Sequence, residues 1–421
     1  MVAAAAAAAD EGAPGRWRLL ILLLVAYTFN FVDRQILGIL ALPIKASLNL
    51  SDTQLGVLGG IAFALLYSTL AVPFAWLADR TSRAWVITGA LAVWSGFTAL
   101  CGLAGSFWQL FWCRLGVGIG EAGGVAPSYA MISDAFPPRQ RARALAIYSL
   151  GIPLGSALGV LFGGYVAAAV DWRTAFIAVG VAGLVFAPLF RLGVREPVRV
   201  RLVGGDAPRF GAVLRQLGGK SSFWLLSLGA GSCSMMGYGL AFWLPSLLRR
   251  SFGLDLIETS QFFGGLLLTG GVVGVLAGGV LGDRLGARDS AAFARVPAIA
   301  FLIGVPMFVA GIQSGDARLA FVLFILPQAL AYIWLAPILT AVQHLVAAPA
   351  RATASACFLL INNLIGVGLG APFIGYVSDR LAPRFGEESL RITILFSLGF
   401  YLLAAALMWA GSTRLRRDWV D

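Results

Sequence analysis

The amino-acid sequence predicts an all-α polytopic membrane protein with twelve transmembrane helices in two six-helix bundles. Of its 421 residues, 59% are hydrophobic and only 12% are charged, and the mean hydropathy is +0.85. A soluble domain carries about 25% charged residues, so this composition argues against a soluble fold. Apolar stretches also recur at near-regular intervals, each close to the roughly 20 residues that a helix needs to cross a bilayer. One sizeable polar linker divides these stretches into two sets.

The apolar spans define the predicted helices. Those of the first set are Trp17–Ile44, Thr53–Ala78, Ala84–Ala104, Phe107–Ser133, Ala144–Ala168 and Trp172–Leu192. Those of the second set are Phe223–Leu248, Phe262–Gly282, Ala291–Gly311, Leu319–Gln343, Ala354–Val377 and Ile392–Gly411. In lipid only helices or closed barrels satisfy every backbone amide. Because the alternating pattern of a barrel strand is absent, each span is predicted to be helical.

The same spans predict the domain organisation. We expect a disordered N-terminal lead, an N-terminal bundle, a cytoplasmic linker, a C-terminal bundle and a cytoplasmic tail. Their predicted bounds are 1–16, 17–192, 193–220, 221–413 and 414–421, respectively.

Basic residues predict the orientation of the chain. The formal net charge is +11, which in a soluble protein would indicate nucleic-acid binding. If the N-terminus is cytoplasmic, twenty of the 31 Lys and Arg residues lie on the inner side and eight on the outer side. Inner loops of membrane proteins carry such an excess. We therefore expect a multi-pass protein of the inner (plasma) membrane, with both termini cytoplasmic and no nucleic-acid partner.

Sparse reactive side chains argue against an enzyme. The chain has a single His and four Cys, and all four Cys fall within apolar runs, where Cys acts as a small hydrophobic residue. A metal cluster, His-based catalysis and a disulfide framework are therefore not expected. The sequence also lacks a plausible pair of nucleophile and base. It predicts no cofactor other than protons as a coupling ion.

Four ionisable residues lie well inside the predicted spans: Asp33, Arg34, Arg114 and Glu121. Each costs at least about 2.5 kcal/mol in hydrocarbon unless it faces a partner or a cavity. Arg114 and Glu121 are seven residues apart and share one helix face. We expect a cluster across the first and fourth spans that places Asp33 near Arg114 and Arg34 near Glu121 in at least one conformation. A static ion-pair network that only positions helices is the alternative interpretation.

Such a cluster can couple protons to movement. Burial raises the pKa of a carboxyl group and a nearby Arg lowers it, so a change that moves the Arg alters the proton affinity. Asp33 and Glu121 are therefore candidate proton-coupling residues, and Arg34 and Arg114 are candidates for headgroup binding or gating. In the second half the polar residues are neutral, and five are candidate cavity-lining residues: Tyr238, Gln328, Tyr332, Asn362 and Asn363.

Two similar turns indicate an internal repeat. The turn after the second span contains Asp79, Arg80 and Arg83, and the turn after the eighth contains Asp283 and Arg284. An Asp at a helix end beside arginines can pair with neighbouring helices, so these residues are a candidate cytoplasmic latch. Topology-setting surface charge is the alternative explanation.

Several motifs resemble the major facilitator superfamily over the whole chain, and its spinster-like branch in particular. They include NFVDR at Asn30–Arg34, RLGVGIGEA at Arg114–Ala122, DWRTAF at Asp171–Phe176 and VREP at Val194–Pro197. Members of that branch move lysophospholipids or sphingosine-1-phosphate, some with proton coupling. The resemblance implies that Asp33 and Glu121 are proton sites, and that Arg34 and Arg114 are headgroup or gating residues.

The leading functional hypothesis is a proton-coupled secondary transporter of a lysophospholipid or sphingosine-1-phosphate-like amphiphile, working by alternating access. A porter of the same fold that exchanges a drug, small organic anion or metabolite with protons is the alternative, and a non-coupled lipid facilitator ranks below it. The expected partners are the amphipathic substrate, protons and membrane lipids, and the expected oligomeric state is a monomer.

Overall fold

The computed structural model describes residues 15–197, 210–274, 276–277, 289–347 and 350–420. Within these ranges the secondary structure is helical and no strand occurs. The helices before the linker are α1 Arg16–Ile39, α2 Ala41–Leu48, α3 Asp52–Gly59, α4 Ile61–Arg80, α5 Arg83–Cys101, α6 Phe107–Ala122, α7 Val125–Ala135, α8 Pro138–Ser149, α9 Gly151–Ala169 and α10 Trp172–Gly193.

The remaining helices follow, and the first of them lies within the predicted linker. They are α11 Phe210–Gly218, α12 Ser221–Ser251, α13 Leu256–Leu266, α14 Ala292–Gln313, α15 Ala317–Leu330, α16 Leu335–Gln343, α17 Arg351–Phe385, α18 Ser389–Ser397 and α19 Gly399–Asp418. A π-helical segment, Leu267–Gly271, continues α13. The linker helix α11 buries Val213 and Leu217.

Ten stretches of the described chain are long and apolar enough to cross a membrane. The last, Thr353–Asp418, has 66 residues and contains both α17 and the pair α18–α19. The fourth predicted span is divided at Gly123 and Gly124 into α6 and α7, so neither piece alone reaches the length of a span. With these two adjustments the described helices agree with the twelve that the sequence predicts.

Contacts among the described residues divide the chain into two compact units. One comprises the described residues of Met1–Leu48 and Ala62–Val203, and the other those of Asn49–Ile61 and Gly204–Asp421. The second predicted span therefore contributes to both units, because α3 packs with α17 in the second unit while α4 belongs to the first.

The two helices of this span, α3 and α4, meet at Gly60. Its φ and ψ angles of −115° and −92° end α3, and α4 begins at the next residue. A Cβ at Gly60 would lie 2.5 Å from Cδ of Pro372 and 2.8 Å from the carbonyl oxygen of Gly368. Glycine at this position therefore permits the close approach to α17.

Candidate functional site

The four ionisable residues predicted within the membrane all lie in the first unit, on α1 and α6. Asp33, Arg114 and Glu121 are almost completely buried, with 1%, 2% and 0% of their surface exposed. The side chain of Arg34 keeps 11% of its surface exposed. Since a buried charge is tolerated only when it is paired or hydrogen-bonded, the partners of these groups determine what they can do.

Arg34 and Glu121 form an ion pair that joins α1 to α6. Nε of Arg34 donates a 2.8 Å hydrogen bond to Oε2 of Glu121, which confirms the pairing expected from the sequence. The other carboxylate oxygen, Oε1, has no hydrogen-bond partner among the described residues. Asn30, about one turn before Arg34, lies beside the same carboxylate. Glu121 is thus held through one oxygen, and the other can accept a proton.

Asp33 and Arg114, expected to lie near each other in at least one conformation, are close enough to interact electrostatically but form no ion pair in the described structure. Within the described chain, the ion pairs of this cluster include Arg34–Glu121 but none between Asp33 and Arg114. Adjacent residues on a helix point about 100° apart, so when Arg34 faces Glu121, Asp33 turns towards Thr98 on α5. Oδ1 of Asp33 and Nε of Arg114 are both buried without a hydrogen bond in the described structure.

Aromatic rings surround the guanidinium group of Arg34. Its Cζ lies 5.0 Å from the ring centroid of Phe31, 4.8 Å from that of Phe63 and 4.5 Å from that of Tyr67. The ring of Phe63 also lies 5.5 Å from Cζ of Arg114. Phe63 therefore contacts both cations, and the favourable interaction of a cation with a ring face offsets part of the cost of burying them.

A glycine at position 118 lets α4 approach α6 closely enough to assemble this cluster. A Cβ on Gly118 would lie 2.5 Å from the backbone oxygen of Phe63, a distance at which neither atom could remain. Gly118 stands between Arg114 and Glu121 on the same helix. Gly118 thus has a packing role that brings the aromatic residues of α4 to the charges of α6.

The polar residues predicted to line a cavity form two groups in the second unit. Ser234 donates a 2.7 Å hydrogen bond to Oδ1 of Asn362, and Asn362 donates a longer one of 3.4 Å to Oδ1 of Asn363. Separately, Tyr332 lies beside Tyr238 and Gln328. The five predicted residues therefore form two groups. Asn362 and Asn363 form one, and Tyr238, Gln328 and Tyr332 form the other.

A π-helical segment that the sequence did not reveal supports the second group. Gly270, within that segment, would place a Cβ 2.9 Å from Cβ of Gln328, so the segment packs directly on this side chain. Single-turn π-helices are frequent at functional sites. Tyr401 was also missed: it stacks with Phe301 at 5.0 Å and Phe308 at 6.2 Å and lies beside Tyr332.

Half of the predicted latch lies within the described residues. Arg83 forms ion pairs with Asp79, at 3.4 Å, and with Asp134 at the end of α7. Arg80 instead lies over the ring of Trp76, 4.0 Å from its centroid. The second copy, Asp283 and Arg284, lies outside the described residues.

Glu196, within the VREP motif, completes the arrangement around the latch. Its Oε1 accepts a 3.0 Å hydrogen bond from the backbone N–H of Arg83, and its Oε2 accepts one from the hydroxyl of Ser82. Both donors lie at the N-terminus of α5, where a carboxylate is favoured by the helix dipole. The only signal of this role in the sequence was the VREP motif itself.

A buried ionic cluster in the second unit was missed entirely by sequence reasoning. Arg250 binds both carboxylate oxygens of Asp52, and Ser378 donates a 2.9 Å hydrogen bond to Oδ2 of Asp52. Asp379 accepts hydrogen bonds from the backbone N–H groups of Asp52 and Thr53, which are the first residues of α3. This cluster, defined as Asp52, Arg250, Ser378 and Asp379, anchors α3 to α12 and α17.

Comparisons with known proteins agree with the resemblance in the motifs. The sequence profile of the Major Facilitator Superfamily matches residues 23–371. The chain is 36% identical to an MFS-type efflux pump of Mycolicibacterium smegmatis, over 98% of this chain and 96% of that protein. It is 30% identical to human protein spinster homolog 1, over 94% of this chain and 79% of the relative.

A solved structure supports the same likeness. The crystal structure of a bacterial homolog to the human lysosomal transporter Spinster, in an inward-facing and unoccupied conformation, matches with a TM-score of 0.86. It shares 30% sequence identity with the chain, and the match covers 97% of this chain and 99% of that one.

Proposed function

The chain belongs to the Major Facilitator Superfamily and is a spinster-like membrane transporter rather than an enzyme, and from this premise we propose that it carries a lysophospholipid or sphingosine-1-phosphate-like amphiphile, coupled to protons, by alternating access. The observation that carries the proposal is the buried cluster on α1 and α6. There Arg34 pairs with Glu121, while Asp33 has a carboxylate oxygen without a hydrogen bond in the described structure. Ionisable side chains buried within membrane-spanning helices mark ion and substrate pathways.

Proton coupling follows from competition for Glu121. Arg34 holds one carboxylate oxygen of Glu121, and a proton bound by the carboxyl group removes the charge that attracts the guanidinium. Protonation therefore releases Arg34, and the return of Arg34 expels the proton. Asp33, the buried residue immediately before Arg34, offers a second protonation site. Its carboxylate oxygen without a hydrogen bond can accept a proton without breaking an ion pair.

The two arginines suit an anionic headgroup. A guanidinium group binds phosphate through two parallel hydrogen bonds. Arg114 is buried with an unbonded Nε, so a phosphate oxygen would satisfy a donor that the described residues leave unpaired. Tyr238, Gln328 and Tyr332 remain candidate cavity-lining residues of the second unit.

An efflux pump for drugs is the second candidate. The Mycolicibacterium smegmatis relative described as an MFS-type efflux pump is 36% identical over 98% of the chain, a higher identity than that of human spinster homolog 1. Such a porter would move lipophilic cations without preferring acylated substrates. A flux assay that compares a lysolipid with a lipophilic cation therefore distinguishes it from a lysolipid transporter.

The chain is a multi-pass membrane protein, and we propose an inner-membrane location with both termini cytoplasmic. The bias of Lys and Arg towards one set of loops supports this orientation. In a variant whose four native cysteines are replaced by alanine, labelling of single cysteines introduced near Arg18 and Arg318 with a membrane-impermeant maleimide tests it in intact cells. Labelling is expected near Arg318 and not near Arg18, and the reverse pattern would contradict the orientation.

Flux measurements in proteoliposomes test the substrate. With an imposed pH gradient, we expect movement of lysophosphatidylcholine or sphingosine-1-phosphate but not of ethidium. Arg114→Gln should lower the lipid flux at least about tenfold, because it loses the charge that binds phosphate. Arg318→Gln, at an exposed position in the first turn of α15, is the matched control and should retain flux. Movement of ethidium without lipid would instead establish the drug porter.

A further inference from the structure

The guanidinium group of Arg34 occupies a site with the composition of a receptor for organic cations. We define the Arg34 cage as the rings of Phe31, Phe63 and Tyr67, whose centroids lie 4.5–5.0 Å from Cζ of Arg34. The carboxylate of Glu121 closes the cage at 2.8 Å. Several aromatic faces arranged around a positive group recognise quaternary ammonium ligands, and here a carboxylate provides the counter-ion.

Packing fixes the walls of the cage more firmly than its occupant. Phe63 is 1% exposed, its backbone contacts Gly118, and its ring stacks on Tyr67 at 5.0 Å with an interplanar angle of 23°. Phe31 packs edge-to-face against Tyr27 at 5.2 Å. The occupant is the end of a long Arg side chain that keeps 11% of its surface exposed. The walls can therefore persist when the guanidinium moves out.

We propose that the Arg34 cage is a cation subsite, in which a substituted ammonium group of the amphipathic ligand replaces the guanidinium of Arg34. The proposal rests on the transport function above and specifies the headgroup. The ammonium group contacts the three rings and takes Glu121 as its counter-ion. Arg34 therefore acts as an internal competitor for the subsite, since the cage cannot hold both cations.

A second cation beside the same ring defines the rest of the headgroup. Arg114 lies 5.5 Å from the centroid of Phe63, and its Nε is buried without a hydrogen bond in the described structure. One ring thus borders both an anion-binding guanidinium and the cation subsite. A zwitterion with a phosphate and a quaternary ammonium separated by a short linker matches this arrangement, as in a phosphocholine-type lysolipid.

A pair of isosteric ligands tests the cage. Purified full-length protein in detergent is titrated with lysophosphatidylcholine and with its dimethylbutyl analogue, in which an uncharged 3,3-dimethylbutyl group replaces the choline. The two headgroups have nearly the same shape and differ in the positive charge. In the wild type we expect roughly tenfold tighter binding of the choline ligand, the scale of desolvated cation–π contacts. Equal affinities would overturn the proposal.

Substitutions in the walls and in the occupant make the test specific. Phe63→Leu and Tyr67→Leu should bring the ratio of the two affinities close to one, and Tyr67→Phe should preserve it. The control Phe186→Leu removes a ring on α10 that stacks with Phe29 and should keep the ratio. If both leucine variants retain the wild-type ratio, the cage does not bind the ammonium group.

Arg34→Met keeps the proposal falsifiable even if a wall variant fails to fold. Removal of the internal competitor should raise the preference for the choline ligand over the dimethylbutyl analogue, and a decrease would contradict the proposal. The affinity ratio of the two ligands and the lipid flux test different claims. Lipid flux with an affinity ratio of one rejects only the cation subsite, whereas a choline preference without lipid flux rejects only the transport function.

Discussion

Arg250 binds both carboxylate oxygens of Asp52, with each N–O distance at 2.7 Å, although the two residues are 198 positions apart in the chain. Both side chains are mostly buried, with 13% and 3% of their surfaces exposed. Ser378 contributes a further hydrogen bond to Asp52. The cluster thus holds the short helix α3 within the second unit, while the rest of the same predicted span belongs to the first.

Arg250→Ala should destabilise the protein by about 3–5 kcal/mol, because it leaves the carboxylate of Asp52 buried without its cation. Thermal unfolding in detergent measures the loss. The neighbouring Arg249→Ala is the control and should have a much smaller effect. Adding Asp52→Asn to Arg250→Ala should recover part of the loss, since the uncompensated charge is then removed. A double variant less stable than Arg250→Ala would refute this account of the cluster.

Gly118→Ala should cost about 1–3 kcal/mol, the range for overpacking a tight interior. The added Cβ would lie 2.5 Å from the backbone oxygen of Phe63, so α4 and α6 would have to separate. Gly89→Ala on α5 is the matched control, because no atom lies within 4 Å of a Cβ there. It should be neutral or slightly stabilising, as alanine favours helices over glycine. Equal stabilities of the two variants would show that the close approach is not required.

Asp171 should contribute to stability at neutral pH and lose that contribution in acid. It caps α10, where its Oδ1 accepts a 2.7 Å hydrogen bond from the backbone N–H of Thr174. Hydrogen bonds from the side chain and then the backbone of Thr174 lower the pKa of this carboxyl group below its ordinary value. The contribution is therefore complete above the unfolded pKa of about 3.9 and is lost as the pH falls through the lower folded pKa.

Unfolding of Asp171→Ala and the wild type at a series of pH values checks this prediction. The difference in stability should be present at pH 7 and shrink progressively below about pH 4. A difference that stays constant from pH 7 into acid would mean that the ionised form of Asp171 does not stabilise the helix end.

Sequence reasoning succeeded where the membrane itself constrains the residues. The length and polarity of the spans predict helices, and the cost of charge in lipid identifies Arg34 and Glu121 before their contact is seen. The direction of Asp33 was not accessible in this way, because it depends on which neighbouring helix packs against that side of α1. In the structure that neighbour contributes Thr98.

Other features depend on contacts between distant parts of the chain. Asp52, Arg250 and Asp379 stand at the ends of spans, where charged residues are common for reasons of topology, so their pattern alone did not mark a cluster. The π-helical segment at Leu267–Gly271 likewise has no distinctive sequence pattern. Its packing against Gln328, through Gly270, is seen only in the structure.

The central claim is that the buried cluster couples protons to transport, and Asp33→Asn tests it most directly. The substitution keeps the shape of the side chain and removes its ability to exchange a proton. We would measure lysophospholipid and sphingosine-1-phosphate flux in proteoliposomes, with and without a pH gradient, for the wild type and the variant. The account predicts flux that the gradient accelerates in the wild type and that loses this acceleration in Asp33→Asn. Gradient-driven flux that is unchanged in Asp33→Asn would contradict the assignment of proton coupling to Asp33.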